Sequence, residues 1–223
     1  MENLLSPVEL RIVGSLIEKE ITTPEYYPLT LNALVNACNQ KSNRDPVMNL
    51  SEKEVENVLE DLKERRFVWQ MNLANSRVPK YEHNLRSLFT LTDQEIAVIC
   101  VLMLRGPQTV GELRTRTERM ARFGSLEEVE SVLKALAARD VPLTMELPRR
   151  PGQKESRFVQ LFSEQVLFYE APEEAPSSGI PEQTESPVRL SDRVAVLEQE
   201  VTELKQQIDE LQGAFREFRR QFE

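Results

Sequence analysis

The chain has 223 residues, 40% of them hydrophobic, and a formal net charge of −9. No run reaches the ~20 consecutive apolar residues of a membrane-spanning helix, and the opening MENLLSPVELR lacks the basic-then-apolar pattern of a signal peptide, so a cytoplasmic protein is expected. One histidine and two well-separated cysteines, Cys38 and Cys100, leave no clustered soft-ligand metal site; both cysteines are expected as buried free thiols.

The negative charge is unevenly spread. Residues 1–86 carry 11 Lys/Arg and 13 Asp/Glu, residues 87–170 carry 11 and 12, and residues 171–223 carry 6 and 12. The first two segments are close to neutral and the tail is acidic. Overall pI therefore says little about an anionic partner; local charge decides.

From the N-terminus, Ser6 with Glu9 three residues later is a capping box, and it opens a helix from about Pro7 to Lys19 with Val8, Ile12, Leu16 and Ile17 at helical spacing. A short second helix is expected over Thr30–Cys38. Ser51 caps a third, running to about Arg66, with Val55, Val58, Leu59 and Leu62 inward. FVWQMNL then reads as a strand, Ala74–Arg77 as a turn and Val78–Asn84 as the returning strand.

The same order repeats. EVENVLEDL at Glu54–Leu62 and EVESVLKAL at Glu128–Leu136 share six of nine residues at an offset of 74, while Leu5-Ser-Pro-Val-Glu-Leu matches Leu91-Thr-Asp-Gln-Glu-Ile at an offset of 86. The second copy is expected as helices over Thr92–Arg105, Val110–Arg116 and Ser125 to near Arg139. Its strands are expected over Pro142–Leu147 and Arg157–Leu161, with PRRPGQKE between them. Three helices and a hairpin, twice, is the order of two tandem winged helix-turn-helix domains, 1–88 and 89–170, each closing its own small core: a mostly α fold with small β-hairpins.

Residues 171–187, rich in Pro and Glu, read as a disordered linker. Residues 188–223 read as a coiled-coil helix, because Leu190, Val194, Leu197, Val201, Leu204, Ile208, Leu211, Phe215, Phe218 and Phe222 alternate spacings of four and three. Val194, Val201 and Ile208 at one heptad position with Leu197, Leu204 and Leu211 at the other favour a parallel two-stranded coil, hence a homodimer.

No Gly-rich phosphate loop, nucleophile elbow or HExxH occurs, and no cofactor or catalytic role is expected; His83 reads as structural or surface. Winged-helix readers usually insert the third helix. Here the third helices begin with Glu52, Glu54 and Glu56, and with Glu127, Glu128 and Glu130, which oppose a polyanion. Positive charge lies instead on Arg114, Arg116, Arg119 and Arg122 and on the hairpins. The candidate contacts to duplex DNA or a protein partner are Arg77, Lys80, Arg149, Arg150 and Lys154, together with Lys41, Asn43 and Arg44 in the polar run NQKSNRDP. The leading expectation is a dimeric nucleic-acid-binding or regulatory protein; the alternative is a protein-interaction adaptor without DNA binding.

TTPEYYPLTLNALVNACNQKSNRDPVMNLSEKEV resembles the signature stretch of the YceH-like family of uncharacterised bacterial proteins, as do ELRIVGSLIEKE and LTDQEIAVICVLMLRGPQTVGELRTRTERM. The resemblance implies tandem winged-helix domains in a bacterial cytoplasmic protein and brings no reaction or ligand with it.

Overall fold

A computed structural model describes residues 4–72, 78–149 and 153–163. The expected linker at 171–187 and the coiled coil at 188–223, including Val194, Leu197, Val201, Leu204, Ile208 and Leu211, lie outside the described residues, as do Arg77 and Arg150.

Helix starts are set by side-chain caps. Ser6, Thr92 and Thr109 each form a capping box with a Glu three residues on, and these open α1 (Pro7–Thr22), α5 (Asp93–Arg105) and α6 (Val110–Thr117). Thr30 caps α2 (Leu31–Cys38), Ser51 and Glu54 box α3 (Glu52–Glu64), and Ser125 caps α7 (Leu126–Ala137). Gly106, at φ 67° just before Pro107, stops α5 in the left-handed region open to glycine. A short α4 (Leu85–Phe89), which no periodicity announces, joins the two copies.

The hairpins are β2 (Val68–Met71) with β3 (Lys80–His83), and β4 (Thr144–Leu147) with β5 (Arg157–Gln160), all antiparallel. The first is widened by β1 (Leu29–Thr30), whose Leu29 pairs with Tyr81. In the second copy Gln108 exchanges both backbone hydrogen bonds with Phe158, at 3.0 and 2.7 Å. Leu29 and Gln108 each directly precede the cap of a second helix, so the two copies repeat this extra bridge. The described chain is thus mostly helical with small antiparallel hairpins.

Helix starts step by 86, 79 and 74 residues from the first copy to the second. The 12 extra residues of the first copy are therefore split: three lengthen α1, four enlarge the corner before α2, and five enlarge the loop between α2 and α3.

The expectation that each copy closes its own interior is corrected. One apolar cluster runs from Leu5 to Phe162 through both copies, and α1 packs more extensively on α5 than on any other described element. A satellite cluster of Leu147 and Val159 lies within the second hairpin itself. The reason is that α5 is apolar all round, from Ile96 to Leu104, so one copy cannot cover it. Gly14 allows the close approach: a Cβ there would lie 2.9 Å from Leu104 Cδ2 and 3.3 Å from Met103 Cβ. Cys100 donates its thiol to the Gly14 carbonyl at 3.3 Å and lies against the backbone of Glu18. The 86-residue offset maps Gly14 onto Cys100 and Glu18 onto Leu104. The contacts are therefore exchanged between equivalent positions, the signature of a two-fold relation.

Candidate nucleic-acid interface

The two central helices differ along one stripe. At positions i, i+4 and i+7, α1 carries Arg11, Ser15 and Glu18, where α5 carries Ala97, Val101 and Leu104. Residues at this spacing share a helix face. The polar stripe holds the loop between α2 and α3, residues 39–51. Arg11 donates to the Cys38 carbonyl at 3.0 Å and to the Pro46 carbonyl. Arg44 donates to Glu18 Oε2 at 2.7 Å, to the Ala37 carbonyl at 2.9 Å and to Gln40 at 3.1 Å. Asn39 and Leu50 exchange a pair of hydrogen bonds at 2.8 and 2.7 Å across the loop base.

Both guanidinium groups are buried. Arg11 is 2% exposed, and its Nε has no partner among the described residues. Burial, and then the charge of Arg44, pulls its pKa down from the ordinary arginine value. Burial pushes the Glu18 carboxyl up, but the hydrogen bonds and charge of Arg44 override this and hold it below its usual range.

The expectation that Arg44 binds a partner is corrected: its side chain is fully buried and turned into the protein. The reason is its rigid fork of donors, which satisfies a carboxylate and a carbonyl at once. Lys41 and Asn43, with Ser42 between them, are exposed at the loop tip, and Asn43 takes a left-handed φ of 62°. Lys80 is half-buried on the outer face of the first sheet, beside Thr30 and Met71. Arg149 and Lys154 are exposed beyond the ends of β4 and β5.

The loop tip reaches the second copy. The Asp45 N–H donates to the Leu104 carbonyl at 2.9 Å, and Arg105 donates to Asn43 Oδ1. Burial and the charge of Arg116 both lower the pKa of Arg105. Arg116 lies 3.7 Å from Glu112, which also takes a 2.8 Å ion pair from Arg157 on β5. Burial pushes the Glu112 carboxyl up, but the Thr109 N–H and then Arg157 hold it below its usual range. A seam of contacts therefore runs from Asn43 to Arg105, close enough to Arg116 for their charges to act on each other, and through Glu112 to Arg157 and the second hairpin; Lys41 and Asp45 are exposed on the loop. Sequence reasoning missed Arg105, because a cation at a helix C-terminus reads as a partner of the helix dipole. The structure brings the loop, Arg116 of α6 and the second hairpin together, while Arg114 donates to the Gly124 carbonyl at 3.3 Å; it does not bring Lys80 into the seam's contacts.

The third helices carry the opposite charge. Glu52, Glu54, Glu56 and Glu127 are exposed; Glu54 closes its capping box, and Glu128 accepts from the Gly124 N–H and from Gln94, both at 2.6 Å. A cleft of about 430 Å³ between α1 and α3 is lined by Glu9, Asp61 and Glu64 with Arg65, again mostly acidic.

Other singled-out groups are structural. His83 is buried, with Nε2 3.0 Å from Glu20 and Nδ1 accepting the Leu85 N–H at 3.2 Å, so Nε2 carries the proton. Cys38 and Cys100 are free and buried. Among the described residues no group of three or more His, Cys, Asp or Glu is placed to hold a metal ion, and no helix is long and apolar enough to cross a membrane.

A family model described as "Protein of unknown function, DUF480" matches residues 5–153. The chain is 49% identical to a UPF0502 protein of Geobacter sulfurreducens and 49% identical to one of Solibacter usitatus, each over 223 residues and the full length of both chains. A UPF0502 protein of Aeromonas hydrophila is 47% identical over 212 residues, 93% of this chain and 94% of that protein. These matches agree with the expected bacterial family of uncharacterised proteins, under the designations DUF480 and UPF0502 instead of the YceH-like name.

Proposed function

Because this chain belongs to the DUF480 family of proteins of unknown function, its role must be read from its own residues, and we propose that it is a tandem winged helix-turn-helix protein that binds nucleic acid along the seam between its two copies. The order of three helices and a hairpin, repeated with its extra bridge, supports the winged-helix reading. The observation that carries the binding reading is the division of charge. The third-helix N-termini present Glu52, Glu56 and Glu127, whereas on the seam Lys41, Arg105, Arg116 and Arg157 outnumber Asp45 and Glu112, with Arg149 and Lys154 beyond the ends of β4 and β5. Nucleic-acid affinity comes largely from cations that displace counterions from phosphate, so the ligand is held where the cations are. The protein is read as cytoplasmic, dimeric through residues 188–223, and without a catalytic role.

Titration of the full chain against a labelled DNA duplex by fluorescence anisotropy, at several salt concentrations, tests this. Affinity is expected to fall steeply with salt. Arg105→Ala with Arg116→Ala, and Arg149→Ala with Arg150→Ala, should each weaken it and reduce the salt slope by roughly one for every phosphate that is no longer neutralised. Absence of binding at low salt, or binding indifferent to these substitutions, refutes the reading. Trp69, 44% exposed beside Met71 on the outer face of the first sheet, favours the adaptor reading as second choice; capture of one defined protein by the full chain, abolished by Trp69→Ala, would support it.

A further inference from the structure

The duplication provides an internal control for the loop between α2 and α3. The second copy builds the same three helices and hairpin with a connection five residues shorter, and its central helix closes the core with Ala97, Val101 and Leu104. Building three helices and a hairpin around a central helix therefore does not need a buried Arg11, a buried Arg44 or a charged Glu18. Burying such groups is costly unless they are fully paired, and Arg11 Nε is left without an acceptor among the described residues. In the first copy much of that cost falls at the base of this loop.

The cost holds a short surface segment still. Residues 39–50 are tied at both ends by Asn39 and Leu50, beneath by Arg11 and Arg44, and to the second copy through Asp45 and Asn43. What this frame presents at its tip is Lys41, Ser42 and Asn43, with Asp45, Pro46 and Val47 exposed beside them. Asn43 accepts from Arg105 through Oδ1, and its amide nitrogen has no partner among the described residues. The tip thus offers the ammonium of Lys41, the hydroxyl of Ser42 and the amide N–H groups of Asn43 beside the cations Arg105 and Arg116. A fixed frame of this kind is the requirement for reading base edges, since specificity fails when the reading groups are free to rearrange.

We infer that the loop tip Lys41-Ser42-Asn43 is a preformed element that reads the sequence of a DNA duplex, while the arginines of the seam and the second hairpin hold its phosphates. This rests on the nucleic-acid reading above and adds which residues give specificity. Donors beside a base pair select an edge that accepts; in the major groove guanine offers two such acceptors, N7 and O6. Arg11 and Arg44 are positioning residues that never touch the duplex.

The test is selection of binding sites from a random duplex library with the full chain and with a variant carrying Lys41→Ala, Ser42→Ala and Asn43→Gly. Glycine is used at 43 because it keeps the left-handed backbone while removing the side chain. The three residues are exposed, and an unchanged thermal melt verifies that the variant folds. The native chain is expected to enrich a site with an invariant guanine and to prefer it about tenfold or more over scrambled duplex. The variant should lose that preference to below about twofold, and its affinity for scrambled duplex should fall only as far as the loss of one cation, Lys41, dictates. A variant that selects the same site, or a native site without an invariant guanine, overturns the inference. So does native binding without sequence preference, which leaves the proposed function standing. Absence of any binding at low salt removes both.

Discussion

Arg139 donates to Glu95 Oε1 at 2.7 Å and to the Phe89 carbonyl at 2.5 Å, tying the exit of α7 to the entry of α5. Arg65 does the same in the first copy, to Glu9 Oε1 at 2.6 Å and to the Leu4 carbonyl at 2.7 Å. The two arginines are 74 residues apart and the two glutamates 86, the offsets of the sequence repeat. Each glutamate is also the acid of a capping box, so one carboxylate serves a helix start and a bridge between helices.

Arg139→Ala should destabilise the fold by about 1–2 kcal/mol at neutral pH, as expected for a partly exposed ion pair that also satisfies carbonyl groups. Burial pushes the Glu95 carboxyl up, but the Thr92 N–H and Arg139 hold it below its usual range. A carboxylate with a depressed folded value contributes stability above its unfolded pKa, about 4.3, and loses it as pH falls through the folded value. The difference between native chain and variant in urea unfolding should therefore shrink below about pH 4. A difference that is constant into acid would reject this account.

The Arg44–Glu18 pair is enclosed, with the arginine side chain fully buried. Arg44→Met should cost about 3–5 kcal/mol, because it leaves a buried carboxylate without its partner. Adding Glu18→Gln should recover part of the loss. Denaturant unfolding of both single variants and the double variant measures this, and strict additivity would argue against direct coupling.

Gly14→Ala is expected to destabilise, although alanine favours helices by about 1 kcal/mol over glycine. The new methyl would meet Leu104 and Met103 at 2.9–3.3 Å. Overpacking of a tight contact costs about 1–3 kcal/mol, so the expected net loss is up to about 2 kcal/mol. With Leu104→Ala in place the same substitution should cost less. A higher melting temperature for Gly14→Ala would show that α1 and α5 separate easily.

Cys38 and Cys100 should resist alkylation in the folded protein. Burial pushes the Cys38 thiol up to about 11 and raises Cys100 as well, leaving little thiolate at neutral pH. Mass spectrometry after thiol labelling is expected to find no adducts on the folded chain and two after denaturation. Rapid labelling of either under native conditions would contradict the burial.

Deleting residues 188–223 should convert a dimer to a monomer in analytical ultracentrifugation, because the alternating apolar positions from Leu190 to Phe222 are all removed. An unchanged oligomeric state would remove the coiled coil as the dimerising element.

The helices were legible from the sequence because their signals are local: a hydroxyl followed three residues later by Glu, apolar spacing of three and four, and Gly106-Pro107 as a stop. The hairpins followed from alternation, and the duplication from the repeat at 74 and 86. Some short elements were not legible. Leu29–Thr30 and Leu85–Phe89 are too brief to show a period and exist only because their partners lie beside them. The acidity of the third helices was equally plain from the residues of their first turns.

Only the tertiary structure decided what the polar residues of the first copy do. Arg44 and Lys41 stand three apart in one polar run, yet one is enclosed and the other exposed. That choice depends on Glu18 and the Ala37 carbonyl, which are near in space but carry no mark in the run itself. Likewise the merging of two cores into one follows from Gly14 meeting Leu104, ninety residues away along the chain. Local order is set by neighbours in sequence, whereas the burial of a charge and the joining of two helices are set by whatever the fold brings alongside.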